Sequence, residues 1–286
     1  MKKILYSIPL LVIALVSFTI VGSKKSTTVS LTKKWQTDTV LKVPESVIYN
    51  PSDKLIYVAN INGKADEKDD NGFISRLTLD GKVEKLKWVG GLHAPKGMGI
   101  YKGKLYVTDI SRIVIIDITT ARIEKTIEVT GATFLNDITI DKDGNVYISD
   151  SSDKKIYLLK NGVVTVWLEN TILQKPNGLL AQDKTLRIID MGSGIFYEAA
   201  YTDKKLVPTA KGIPAGDGIM AAGNGAYIIS CWPGEAYYVK GEEVQKILDT
   251  KAEKLNAADA WYIESEKLLI VTTFFGNSVY AYTLSN

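Results

Sequence analysis

Six short segments of this chain are variants of one another and recur at a nearly fixed interval. They are Pro44-Glu45-Ser46-Val47, Pro95-Lys96-Gly97-Met98, Leu135-Asn136-Asp137-Ile138, Pro176-Asn177-Gly178-Leu179, Gly216-Asp217-Gly218-Ile219 and Ala257-Ala258-Asp259-Ala260. Their second residues, Glu45, Lys96, Asn136, Asn177, Asp217 and Ala258, are separated by 51, 40, 41, 40 and 41 positions. A repeat of this period requires each unit to be one supersecondary element that buries its apolar faces against its neighbours. Only the first interval is long, and it contains an extra polar segment, residues 63–72.

Each unit carries the same strand pattern. In the third unit, alternating apolar segments at 137–140, 145–149, 155–159 and 163–167 are joined by turn signals, among them Asp143-Gly144 and Asn161-Gly162. The two-residue Asn-Gly link is a hairpin signature. The fifth unit repeats the pattern at 218–221, 226–230, 236–239 and 244–247. Four short strands every 40 or so residues predict an all-β fold, a six-bladed β-propeller of four-stranded blades. The sixth unit has only three strands, at 260–263, 268–272 and 278–282, before the chain ends. Residues 27–43, which include Val40-Leu41-Lys42-Val43, are expected to supply the fourth and close the ring with an N-terminal strand. One domain over 23–286 is predicted.

The segment before the repeat has a different character. Lys2 and Lys3 precede an apolar run over 4–21, interrupted by Ser7, Pro9, Ser17 and Thr19 and followed by Gly22 and Ser23. Residues 1–22 therefore read as a secretory signal peptide, or as an uncleaved anchor given the length of the apolar run. No Cys adjoins the small residues, so lipoprotein processing is excluded. The expectation is an exported protein, periplasmic or secreted, membrane-anchored if the segment is retained. With one Cys and one His in 286 residues, an intrachain disulfide, a multi-Cys metal site and a paired-His zinc site are all excluded. A net charge of +3 with acids and bases interleaved gives no phosphate-binding surface, so nucleic acid is not an expected partner. A monomer acting on a small molecule is expected.

In a propeller the first strand of every blade lines the central channel, so residues 40 positions apart meet at one axis. Of the six here, Glu45, Asn136, Asn177 and Asp217 are hard oxygen donors, the type preferred by Ca²⁺, Mg²⁺ or Mn²⁺. Two carboxylates would nearly neutralise a divalent ion. The same residues equally describe the polar lining of a water-filled channel, with Lys96 paired to Glu45 or Asp217 and no metal present.

The phased set resembles the senescence-marker-protein (regucalcin)/gluconolactonase family and, more distantly, the paraoxonases. The resemblance covers the chain after the N-terminal segment. It implies a divalent ion in the channel, Ca²⁺ first, with Mg²⁺, Mn²⁺ or Zn²⁺ compatible. Glu45 in Pro-Glu-Ser, Asn177 in Pro-Asn-Gly-Leu and Asp217 in Gly-Asp-Gly-Ile match the family's metal ligands. Asn136 in Leu-Asn-Asp-Ile matches a residue that contacts substrate or water in gluconolactonases and ligates the ion in paraoxonases. The implied chemistry is lactone or ester hydrolysis with Asp217 as general base.

The chain also departs from these families. Phe134 stands where gluconolactonases place an Arg that binds sugar hydroxyls, which implies a more apolar ligand. Lys96 stands where paraoxonases place a His. It is a candidate base, or a binder of anionic substrate, with a salt bridge to Glu45 as the plainer alternative. Ala258 offers no ligand. These departures keep open a second reading, a non-catalytic propeller that binds a ligand, glycan or protein partner.

Other residues read as structural. Asn60, Asp109, Asp150 and Asp190 recur near the ends of second strands, where Asx side chains bond turn backbones. The acidic insertion reads as a solvated loop or a lid over one channel mouth, His93 as a rim residue, and Cys231 as a small buried hydrophobe. Trp232, Phe274 and Phe275 read equally as core or as pocket wall.

Overall fold

The computed structural model describes residues 1, 4 and 28–285. The apolar segment read as an export signal, apart from positions 1 and 4, lies outside the described residues. Among the described residues no helix is long and apolar enough to cross a membrane.

Among the described residues, twenty-four strands form six four-stranded antiparallel sheets. The first strand, β1 (Ser30–Gln36), belongs to the last sheet. Blade one is β2 (Pro44–Asn50), β3 (Leu55–Asn60), β4 (Gly72–Thr78) and β5 (Val83–Leu92). Blade two is β6 (Pro95–Tyr101), β7 (Lys104–Asp109), β8 (Arg112–Asp117) and β9 (Arg122–Glu128). Blade three is β10 (Leu135–Ile140), β11 (Val146–Asp150), β12 (Lys155–Lys160) and β13 (Val163–Glu169). Blade four is β14 (Pro176–Ala181), β15 (Thr185–Asp190), β16 (Ile195–Ala200) and β17 (Leu206–Lys211). Blade five is β18 (Gly216–Ala221), β19 (Ala226–Cys231), β20 (Glu235–Lys240) and β21 (Glu243–Asp249). Blade six is β22 (Ala260–Ile263), β23 (Leu268–Thr272) and β24 (Val279–Ser285), completed by β1.

The turns form for local reasons. At the hairpin joining β12 and β13, Asn161 and Gly162 have φ of +52° and +79°. A type I′ turn requires positive φ at both central positions, and Asn-Gly tolerates it best. The innermost strands pack in a ring, β2 on β6, β6 on β10, and so on to β22 against β2. Outer strands such as β1 and β9 are mostly exposed.

The hydrophobic core is distributed rather than central. Six clusters each span one pair of neighbouring blades. Ile48, Tyr57 and Ala59 of blade one meet Val107, Val114 and Ile116 of blade two, for example. Leu41, Val47 and Ile56 meet Ile263, Leu268 and Ile270 where blade six returns to blade one. Each blade is apolar on both faces, so no blade is stable alone and the ring must close.

Closure comes from within the expected segment, residues 27–43, through its first half. β1 pairs antiparallel with β24, from Ser30 opposite Ser285 to Gln36 opposite Tyr280. Residues 40–43 are not a strand. Leu41 is instead fully buried in the cluster between blades six and one. The turn-like backbone at Val43, with φ of +50°, steers the chain from the outer edge of blade six into the channel.

Close approach at the axis explains one small residue. A Cβ at Gly178 would collide with the backbone carbonyl oxygen of Asp217 in the next blade and sit 2.9 Å from the Ile189 side chain. Gly178→Ala should therefore lower stability by about 1–3 kcal/mol, the usual cost of forced overpacking. Thermal denaturation of the full chain checks this, and an unchanged melting temperature would contradict the packing described.

Candidate functional site

Four of the six phased residues arrive at the axis behind loops that are clamped by a buried Asx side chain. Asp109, fully buried at the end of β7, accepts the backbone N–H of His93 and of Ala94, the latter at 2.7 Å. Asp150 takes those of Thr133 and Phe134. Asp190 takes those of Gln174 and Lys175. Asn60 takes that of Lys42. Each clamped N–H lies two or three residues before its channel residue, so the recurring Asx side chains are structural and also set the site. Cys231 stands opposite Gly216 in the clamp register of blade five, and burial pushes its thiol up in pKa and leaves it unreactive. In blade six, Thr272 Oγ1 bonds the carbonyls of Glu45 and Asp259, both at 2.8 Å, and ties the last blade to the first.

Glu45, Lys96, Phe134, Asn136, Asn177 and Asp217 all line one cavity of about 290 Å³ at the upper mouth of the channel. Every candidate site residue of the sequence is thus brought together. Ala258 is fully buried and does not line it. Ile61, Ala65, Met191, Ala215, Trp232 and Phe274 add an apolar wall, and Lys175 adds one cation. Trp232, Phe274 and Phe275 stack edge to face on one another, so the first two belong to the pocket wall while Phe275 stays 64% exposed. Phe274 holds φ of +49°, a costly conformation for a bulky residue of the kind that concentrates at functional sites.

On the cavity floor, Asn177 Nδ2 donates to Asp217 Oδ1 at 2.6 Å. Asn136 Nδ2 donates to Ser151 Oγ at 3.2 Å, which in turn donates to the Pro176 carbonyl. Two buried oxygens, Glu45 Oε2 and Asn177 Oδ1, have no hydrogen-bond partner among the described residues. Buried acceptors are costly when unsatisfied, so both call for a donor or a cation. The expected bridge between Lys96 and Glu45 does not form. The Lys96 ammonium instead donates to the carbonyls of Ala65 at 2.8 Å and Ala94 at 3.0 Å, and lies 4.4 Å above the Phe134 ring. Backbone carbonyls of the loops sit closer to it than the carboxylate does.

A second tier of charge lies one residue further along the first strands. Asp137 and Asp259 join Glu45, Asn136, Asn177 and Asp217 around a narrow gap in the channel. They also open onto a wider funnel of about 780 Å³ at the lower mouth, walled by Val47, Met98, Ile138, Leu179 and Ile219. Sequence reasoning missed both aspartates, because strict strand alternation turns neighbours to opposite faces. In five inner strands, however, the register slips, as between Leu135 and Ile138 and between Gly216 and Ile219. Such a bulge re-aims a residue, so two successive side chains can face the axis. The signal was the adjoining column Ser46, Gly97, Asp137, Gly178, Gly218 and Asp259, all small or acidic. Asp137 accepts the Leu179 N–H of the next blade, and Asp259 accepts the Ser46 hydroxyl at 2.7 Å, so both also lace blades together.

Four carboxyl groups in one channel shift each other. Burial pushes Asp217 up to about 8, reinforced by the charge of Asp259 and opposed by the Asn177 hydrogen bond. Burial holds Asp259 at about 6. Burial raises Glu45 well above the usual carboxylate range, with Asp217 and Asp259 adding to it and Lys96 opposing. Asp137 is raised by burial and then by Asp259. Burial lowers Lys96 to about 8 against the pull of Glu45, Asp109 and Asp66.

The donor set fits a hard divalent cation. Two carboxylates and two amides converge, and the two unpartnered oxygens belong to two of them. Among the described residues no group of three or more His, Cys, Asp or Glu side chains is placed to hold an ion, so the amides are essential to the set.

No protein family and no curated protein matches the sequence. Solved structures do. A gluconolactonase from Xanthomonas campestris superposes with TM-score 0.65 at 15% identity, covering 86% of this chain and 87% of that one. A virginiamycin B lyase from Staphylococcus aureus gives 0.64 at 14% identity over 90% and 99%. A chain of a nidogen/laminin complex gives 0.65 at 17% over 77% and 84%. At these identities the likeness is one of fold: the chain is a six-bladed propeller of the architecture that gluconolactonases share.

The raised carboxyl pKa values make a prediction about the metal-free chain. A carboxyl that keeps its proton to about pH 8 or 6 when folded, but releases it near 4 when unfolded, favours folding in the protonated form. Stability in chelator should therefore rise as pH falls from about 8 towards 4. Millimolar Ca²⁺ should flatten that slope. Melting temperatures at pH 8 and pH 5 with and without chelator test it, and a chain more stable at pH 8 in chelator would refute the assignment.

Proposed function

We propose that this chain is a divalent-metal-dependent hydrolase of the lactonase or esterase type, acting on a small molecule in the upper cavity. The observation that carries the reading is the pair of unpartnered buried oxygens, Glu45 Oε2 and Asn177 Oδ1, beside Asp217. Glu45, Asn136, Asn177 and Asp217 would hold the ion, with Ca²⁺ the best match to their oxygens. When bound, a divalent ion supplies Lewis-acid polarisation of the scissile carbonyl.

The chain's own groups supply the rest. Asp217 accepts Asn177 through Oδ1, and Oδ2 accepts no hydrogen bond among the described residues, which leaves that oxygen for a proton. An aspartate with one oxygen free beside the ion is placed to take a proton from an attacking water. The apolar wall excludes water and suits a substrate less hydroxylated than a sugar. Phe134 contributes no donor where the gluconolactonases to which the sequence is similar carry a guanidinium. The Lys2–Lys3 and apolar pattern of the N-terminal segment supports export as part of the proposal.

A non-catalytic binding role is the second reading, favoured by the departures at Phe134 and Lys96. Calcium titration calorimetry and a panel of lactones and esters separate the two. Asn177→Ala and Asp217→Ala should abolish ion binding, and Asp217→Asn should lower turnover by about 10²-fold or more, as loss of a general base does. Stoichiometric Ca²⁺ without turnover on any substrate would support the binding module. No binding at millimolar Ca²⁺ would remove the metal from the proposal.

A further inference from the structure

Two irregularities of the repeat lie side by side. One unit is long, because residues 63–72 are inserted into blade one, and one channel position is cationic, Lys96 of blade two. They meet in the fold, where the Lys96 ammonium takes the carbonyl of Ala65 from the insertion. We propose that Lys96 is a positioning residue, whose ammonium fastens the 63–72 strap of blade one onto blade two and so fixes one wall of the upper cavity.

The partners of Lys96 account for its protons. The residue is 1% exposed. It donates to Ala65 O and Ala94 O, and its remaining direction faces the Phe134 ring. An ammonium has three donors, and all three are engaged by backbone and aromatic face rather than by a carboxylate. A group committed in this way holds a wall together and is poorly placed to shuttle protons.

The outer side of the strap is tied to the same blade. Asp70 lies 3.1 Å from His93 Nδ1 and 3.7 Å from Arg112. Lys68 Nζ donates to Ser111 Oγ at 3.1 Å. Arg112 in turn pairs with Asp109, the clamp that sets the backbone of residues 93 and 94 ahead of Lys96. The strap is thus gripped from inside the channel by one buried cation and from outside by a charged network. Ala65, at the inner grip, packs against Ile61, Ala94 and Ile110 and lines the cavity. Releasing it opens the cavity wall without touching the oxygen donors opposite.

Two variants of the full chain test this. Lys96→Met removes the donors, and Lys96→Arg keeps charge, donors and reach but cannot act as a base at any working pH. Trypsin cleavage after Lys64 and Lys68, mapped by mass spectrometry, reads the strap directly, because an exposed loop is cut through local opening. Expected is cleavage at least about tenfold faster in K96M, from loss of charged hydrogen bonds, and native-like in K96R. For any substrate turned over, K96M should raise KM more than it lowers kcat, and K96R should restore it. Native strap protection in K96M would overturn the proposal. So would a K96R chain that keeps the strap protected yet loses hydrolysis, since that outcome assigns Lys96 to proton transfer. If K96M does not fold, K96R alone decides by the same criterion. The proteolysis arm does not depend on metal or turnover, so it stands or falls apart from the hydrolase reading.

Discussion

The pairing of β1 with β24 is the contact on which the rest depends. Every blade is apolar on both faces, and each of the six hydrophobic clusters spans two blades, so an open arc would leave two of those faces in water. Closing the arc with a strand from the other end of the chain removes both faces and the free sheet edge at once. It also fixes the angle between blades, and that angle brings six residues, otherwise spread across more than two hundred positions, to one axis.

Convergence creates an electrostatic problem that defines the site. Glu45, Asp137, Asp217 and Asp259 share a narrow channel, while the nearest buried cation, Lys96, bonds to backbone and a ring rather than to any of them. Burial first, and like charge second, disfavours ionisation of the whole set, so protons are held to unusually high pH. Under the proposed function a divalent cation would take the place of those protons. Stability and its pH dependence are consequences of one crowded set of carboxyl groups. The clamps at Asn60, Asp109, Asp150 and Asp190 are the structural counterpart, because they spend buried acceptors on orienting the loops that feed this set.

Much of this was legible in the sequence, for specific reasons. The 40-residue phase identified Glu45, Asn136, Asn177 and Asp217 as neighbours, since symmetry about the axis converts equal spacing into spatial proximity. Lys96 was singled out by its place in that column and Phe134 by the resemblance to gluconolactonases, and both line the cavity. The closing strand was assigned to the correct segment, residues 27–43, without its bounds within it. Residues 40–43 look like a strand because they are apolar and branched, yet Leu41 is needed as core between blades. The alternation of 30–36, mostly exposed, is weaker because an edge strand has little to bury.

The sequence by itself determined the number of blades, the order of strands and which side chains share the axis, because each follows from spacing and from the alternation of short segments. Only the tertiary structure decided how those side chains are used. A bulge in β10 brings Asp137 into the channel against simple alternation, and Asp259 reaches it from the residue just ahead of β22. The insertion of blade one draws Lys96 away from Glu45 to the Ala65 carbonyl. Both outcomes depend on backbone groups of distant units lying within hydrogen-bonding reach, and that reach exists only once the ring has closed.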